Sequence, residues 1–274
     1  MNTTDLFDSI QLGIRRYGPM GWLRDAYWRH QFAHARQAHL FLGIYGSAAE
    51  AMAAAPTTAP LSYDNTASAR LYLDRLDIDD YDYPALHWIG DGLRRGLRSL
   101  VDVGGAVGIK FYAFRKALDY PEGLRWRVVD MPAVVAEGER LAQARGEQGM
   151  LSFSADLADA DGHEILFASG ALQYLAQSLP EILATMKARP KQIVINTTPI
   201  HEERAFFTLN SIGTAYCAYR VEARAAFIAG VEAQGYRLRD QWRNVGKRMP
   251  VIGQPEYSVE HYSGFCFQLN DWQG

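Results

Sequence analysis

The chain has 274 residues, enough to bury a full core as one large domain or two small ones. Hydrophobic residues make up 48% and charged residues 22%, as in ordinary globular proteins, and a net charge of -3 leaves no basic surplus for nucleic acid. No apolar stretch approaches the roughly 18 residues that span a bilayer, and Cys217 and Cys266 have neither metal-ligand spacing nor the numbers for a disulfide framework.

Residues 1–9 carry Asp5 and Asp8 and no basic residue before an apolar run, so no secretory signal is expected and a cytoplasmic setting is. Helical spacing follows. Ile10, Ile14 and Tyr17 recur at four and three, and Leu71, Arg75 and Ile78 repeat the pattern among polar neighbours. Alanine-rich 48–55 favours helix and is stopped by Pro56, and 56–65 reads as the loop of this half. Residues 1–98 are therefore expected to form a helical cap without strands. Its aromatics, Tyr63, Tyr72, Tyr81, Tyr83 and Trp88, either pack those helices or form a lid over a ligand, with Tyr63 the foremost lid candidate. His30 and His34 share a helix face at i, i+4, but no third ligand accompanies them, so no metal is expected.

After Arg98 the pattern changes to strands alternating with helices. Strands are expected at Ser99–Val103, 126–129, 150–153, 164–168 and 193–196, with helices at 106–118, 132–145 and 178–188. Pro132 suits a first helical turn and Gly146 a helix end. This alternation implies a parallel sheet with helices on both faces. A further helix is expected at 221–234, stopped by Gly235. Strands at 236–242 and Tyr262–Leu269 then follow without a helix between them, which favours an antiparallel pair.

The segment Val101-Asp102-Val103-Gly104-Gly105-Ala106-Val107-Gly108 joins the first of these strands to a helix, the context in which a glycine loop can hold a ligand. Asp130 ends the second strand, where a carboxylate can accept from both hydroxyls of a ribose. Asp102, two residues before Gly104, would repel a pyrophosphate and attract a cation. That preference points away from a dinucleotide and toward S-adenosylmethionine, whose ammonium and sulfonium are both positive. The phosphate-loop pattern ending in Gly-Lys-Ser/Thr does not occur.

VDVGGAVG followed by VVDMPAVV resembles the corresponding motifs of small-molecule O-methyltransferases of the caffeate and hydroxyindole type. Residues 100–270 are also similar to a bacterial group of methyltransferase-like proteins. The resemblance implies an α/β, Rossmann-like class I methyltransferase fold over 99–274, behind a helical cap over 1–98. It implies that Asp102, Gly104, Gly105 and Gly108 hold the methionine portion of S-adenosylmethionine, that Asp130 holds the ribose, and that Met131 packs on adenine. Asp156 and Leu157 match the segment that contacts adenine, and Ser169 heads the segment after the fourth strand. Ala106 replaces the usual glycine.

In the resembled enzymes a histidine general base follows the fourth strand. Here Gln173 stands at about that position, and an amide takes no proton at neutral pH. Tyr174 beside it either orients a nucleophile, faces the sulfonium, or belongs to the core. His201 follows the fifth strand, where such folds present substrate-facing loops. Tyr174, Gln173, Tyr63 and His201 are the candidate catalytic residues. Three readings follow. The first is methyl transfer to a small molecule. The second is cyclisation of S-adenosylmethionine to azetidine-2-carboxylate with release of methylthioadenosine, as in azetidine-2-carboxylate synthases that this fold also resembles. The third is a binding module without catalysis. No nucleic acid or membrane partner is expected, and the sequence does not set an oligomeric state.

Overall fold

A computed structural model describes residues 21–34, 39–61 and 76–273. Tyr63, Tyr72 and the helical repeats at 10–17 and 71–75 lie outside the described residues. In chain order the strands are β1 (Leu40–Tyr45), β2 (Ser99–Val103), β3 (Arg125–Val129), β4 (Leu151–Ser154), β5 (Ile165–Ser169), β6 (Gln192–Thr198), β7 (Ile200–His201), β8 (Phe206–Ser211), β9 (Tyr216–Ala223), β10 (Tyr236–Asn244), β11 (Val251–Ile252) and β12 (Tyr262–Leu269). The helices are α1 (Gly21–His34), α2 (Ala48–Ala53), α3 (Tyr83–Arg94), α4 (Ile109–Phe114), α5 (Pro132–Arg145), α6 (Leu179–Thr185) and α7 (Arg224–Glu232).

Among the described residues, one sheet has seven strands in the order β4-β3-β2-β5-β6-β12-β10. Five neighbouring strands, β4 to β6 in that order, are parallel, and β12 lies antiparallel between β6 and β10. Alternation along the strands divides the core into two layers, since successive side chains point to opposite faces. Leu100, Trp126, Val128, Phe167 and Val194 face one way, against Ile89 of α3 and Phe111 of α4. Val101, Val129, Leu166, Ile193 and Phe265 face the other, against Leu183 of α6 and Phe227 of α7. Both faces are covered, so β2 and β6 are buried along their whole length. Burying both faces favours runs of apolar residues over clean alternation.

The second sheet, in the order β11-β1-β8-β9-β7, corrects the expectation of a cap built from helices alone. Residues 40–45 form a strand paired antiparallel with β8 and parallel with β11. Its Leu-Phe-Leu-Gly-Ile-Tyr run is short and apolar, and it is decided by partners at 207–211 and 251–252 that local pattern cannot supply. The helix expected from 221 begins only at Arg224, because 221–223 complete β9. Trp28 and Phe32 of α1 pack on one face of this second sheet with Leu209 and Tyr216. Phe41, Phe206, Tyr219 and Val221 pack with Tyr262 of β12, joining the two sheets.

The position of this second sheet follows from connectivity. β6 ends at Thr198 and the chain enters β7 at Ile200, while β10, which runs in the direction of β6, leads from Asn244 toward β11. The second sheet thus stands at the carboxyl edge of the parallel strands, the edge at which open α/β sheets take ligands.

Candidate functional site

Ligand-binding loops are expected at that edge, and two of them touch. Gly104 and Gly108 have φ of +71 and +86, conformations that glycine adopts without strain. A Cβ at Gly104 would lie 2.3 Å from Ala171 Cβ, so the glycine loop packs directly on the turn after β5. A Cβ at Gly105 would lie 2.5 Å from the Asp102 carboxyl carbon. Only glycine there lets the loop close over the acid. Ala106 is left-handed at φ +52, and its N–H donates to Asp130 Oδ2 at 2.8 Å.

Asp102 is the most unusual group of the site. It is 1% exposed, its Oδ2 accepts from Trp126 Nε1 at 3.3 Å, and its Oδ1 has no partner. Burial raises its pKa to about 7; the Asp130 charge adds to this, and the Trp126 hydrogen bond and the Lys110 ammonium oppose it. An uncompensated buried carboxylate is costly, and a cation placed against Oδ1 would relieve the cost. Asp130 Oδ1 accepts from the Met131 N–H at 2.7 Å, so both its oxygens brace backbone. Met131 beside it is 39% exposed, an apolar surface next to the acid.

The remaining expected residues separate into groups. Ser169 Oγ lies 3.1 Å from Thr197 Oγ1 at the ends of β5 and β6. Asp156 accepts from the Ala158 N–H at 2.9 Å, capping the turn Leu157–Ala160, and Leu157 is half-buried against the core layer of Val101 and Leu166. His201 uses both ring nitrogens on backbone. Its Nε2 lies 3.0 Å from the Glu256 carbonyl, and its Nδ1 accepts from the N–H groups of Glu203 and Arg204, each at 3.1 Å. That arrangement braces a loop and leaves no lone pair for a substrate proton.

Gln173 and Tyr174 sit in the turn Leu172–Tyr174 that packs on the glycine loop. Gln173 is buried. Tyr174 donates to Asn210 Oδ1 of β8 at 3.2 Å and meets the Tyr219 ring of β9 edge-on at 5.0 Å. Tyr219 and Tyr262 share a hydroxyl hydrogen bond of 2.7 Å, and burial holds both phenols well above their ordinary pKa. Sequence reasoning missed Asn210 and Tyr219, because their strands belong to a sheet it did not expect, and Tyr262, whose partner Tyr219 lies on that sheet.

Two further features were not read from the sequence. Asp82, fully buried, accepts from Lys110 Nζ at 2.5 Å and from Asn196 Nδ2 at 3.2 Å, tying the segment before α3 to α4 and the end of β6. Burial raises the Asp82 pKa, against the pull of Lys110. Thr197 is left-handed at φ +49, costly for a β-branched residue. The pairs Ser263 with Thr198 and Phe265 with Ile195 set Asn196 and Thr197 opposite Gly264 alone, a β-bulge at the carboxyl edge. Among the described residues no group of acids, histidines and cysteines is arranged to hold a metal, and no helix is long and apolar enough to cross a membrane.

The strand order, with its last pair antiparallel about β12, has a structural counterpart. OxaC in complex with SAH and oxaline is 16% identical with a TM-score of 0.50, and the match covers 76% of this chain and 52% of OxaC. The fold is that of the class I methyltransferases. Within that likeness this chain spans about half the length of OxaC. The 1,6-didemethyltoxoflavin-N1-methyltransferase of Burkholderia thailandensis is 19% identical with a TM-score of 0.48, the match covering 74% of this chain and 82% of that one. A S-adenosylmethionine-dependent methyltransferase from Clostridium acetobutylicum is 11% identical with a TM-score of 0.46, over 76% of this chain and 98% of that one. No family model and no curated protein matches the chain. In this fold Asp102 and the glycine loop lie at the end of β2, and Asp130 directly follows the neighbouring β3.

Proposed function

We propose that the protein binds S-adenosylmethionine and transfers its methyl group to a small molecule. The observation that carries this reading is the buried, half-partnered Asp102 carboxylate beneath Gly105, with Asp130 at the end of the neighbouring strand. Asp102 Oδ1 suits a cationic group, and Asp130, at the end of the neighbouring strand, suits ribose hydroxyls. Gly104, Gly105 and Gly108 let backbone approach the methionine portion, Met131 offers an apolar face to adenine, and Ser169 stands at the rim. Asp156 and Leu157 continue that adenine side. S-Adenosylmethionine, when bound, supplies a methyl group activated on a sulfonium. The complex of OxaC with SAH and oxaline agrees with such a ligand.

The segment before residue 98 is the cover of this site in our reading, completed by strands from residues 200–252. Tyr174 and Gln173 form the floor beneath that cover. Excluding water around a reacting sulfonium strengthens the electrostatic contacts of a site.

Incubation with S-adenosylmethionine and a pool of small-molecule acceptors, followed by mass spectrometry, tests the reaction. Acceptor-dependent S-adenosylhomocysteine is the expected product. Methylthioadenosine formed without any acceptor, with azetidine-2-carboxylate beside it, would assign the cyclisation instead. Binding of S-adenosylmethionine with neither product would leave a non-catalytic module.

A further inference from the structure

Asp102 and Trp126 meet across two neighbouring parallel strands. Leu100 of β2 stands opposite Trp126 of β3, and Asp102 stands opposite Val128. Leu100, Trp126 and Val128 face one core layer, and Asp102, two residues beyond Leu100, projects from the same face. The indole is fully buried there. The rings of Phe111 and Phe167 meet it edge-on at 5.8 and 6.3 Å, and the Tyr120 ring lies at 5.8 Å. Tyr120 is anchored in turn, donating to the Phe111 carbonyl at 2.8 Å. Three rings therefore hold the indole in one place. An indole N–H only donates, and when buried it needs an acceptor. Its acceptor is Asp102 Oδ2 at 3.3 Å.

The glycine loop closes on the other side of the same carboxylate. A Cβ at Gly105 would stand 2.5 Å from Asp102 Cγ and Oδ2 and 2.9 Å from Oδ1. The two oxygens of a carboxylate are equivalent, so whichever one the indole holds, the other is left over. That other oxygen, Oδ1, is buried without a partner. The torsion that turns a carboxyl group is soft, so the indole bond is what fixes the direction of the unpaired oxygen. Other charges act on Asp102 from further away. Asp130 disfavours the ionised form, and Lys110, itself bonded to Asp82 and Asp79, favours it. Burial keeps the Tyr120 phenol protonated, so it adds no charge beside the acid.

We infer that Trp126 is a positioning residue, whose N–H anchors one oxygen of Asp102 so that the other meets the methionine ammonium of S-adenosylmethionine. This inference rests on the S-adenosylmethionine-binding reading above. Trp126 itself touches no ligand and transfers nothing. Its hydrogen bond also favours the ionised acid, the form that a cation needs.

The test is calorimetry on the full chain with probes that differ in the ammonium. S-Adenosylmethionine and S-adenosylhomocysteine carry it, and 5′-methylthioadenosine does not. Trp126→Phe keeps an aromatic ring but removes the donor. At pH 7.5 it should weaken both ammonium-bearing probes about tenfold, while 5′-methylthioadenosine changes less than about twofold. The rise of S-adenosylhomocysteine affinity with pH should move to higher pH, since the ionised acid has lost a donor. In an Asp102→Asn background the same substitution should change the affinity for S-adenosylhomocysteine less than about twofold. A general loosening of the core would instead weaken all three probes in either background. If Trp126→Phe does not fold, the indole N–H resonance of Trp126 in nitrogen-15-labelled wild type decides. Without ligand it should titrate with a midpoint near the Asp102 value of about 7, and with S-adenosylhomocysteine bound it should not. Equal weakening of 5′-methylthioadenosine, unchanged affinities in a folded variant, or an indole resonance indifferent to pH would each overturn the inference. Failure of wild type to bind S-adenosylmethionine or S-adenosylhomocysteine would instead overturn the function on which it rests.

Discussion

Beneath Gly105 a carboxylate lies buried with one oxygen unpartnered, and its protonation links ligand and pH. Its pKa is raised to about 7, chiefly by burial, so in the ligand-free protein the protonated form is favoured below that pH. The folded state then binds the proton more tightly than the unfolded chain. The resulting stability is present in full below the ordinary carboxylate range and is lost as pH rises through about 7. A cationic ligand needs the ionised form. S-Adenosylmethionine affinity should therefore rise between pH 6 and 8 and level off above. Asp102→Asn should bind about tenfold more weakly at pH 8 and show a flat profile over the same range. Calorimetry at three pH values checks this, and a wild-type affinity independent of pH would detach Asp102 from the ligand. At this scale the sequence was informative for Asp102 and Asp130, because motif spacing and strand ends are local properties. It did not show the surroundings of Tyr174, whose partners Asn210 and Tyr219 lie on strands formed by distant pairing.

Elements set by local alternation were legible before the structure. β2 and α5 have the expected bounds, and the last antiparallel pair forms as the missing helix between its strands implied. Elements whose partners lie far away in sequence were not. β1 reads as part of a helical half, yet its neighbours are β8 and β11. β8 and β9 follow the fifth strand of an alternating pattern that had ended, and gave no periodic signal strong enough to stand alone. Where a helical cap was expected there is a sheet backed by α1 and α2, with Tyr174 and Tyr262 packed against its other side. Ligand should slow hydrogen exchange in β8 and β9 as well as in the glycine loop, since both border the turn Leu172–Tyr174. Exchange measured with and without S-adenosylhomocysteine checks this. Slowing confined to residues 100–170 would remove the second sheet from the site.

For the whole molecule, the argument joins a methyltransferase fold to one pair of acids at the ends of adjacent parallel strands. The fold follows from strand order, and a fold by itself hosts many activities. What ties it to a ligand is chemistry at the carboxyl edge, where Asp102 Oδ1 lacks a partner and Asp130 braces the loop. The most direct test is calorimetric titration of the full chain with S-adenosylmethionine, for wild type and Asp130→Ala. The account predicts one site per chain and a loss of roughly 10–100-fold in the variant, since hydrogen bonds to a charged group are worth about 1.5–3 kcal/mol. Absence of binding by the wild type, or equal affinity in a folded Asp130→Ala, would contradict it.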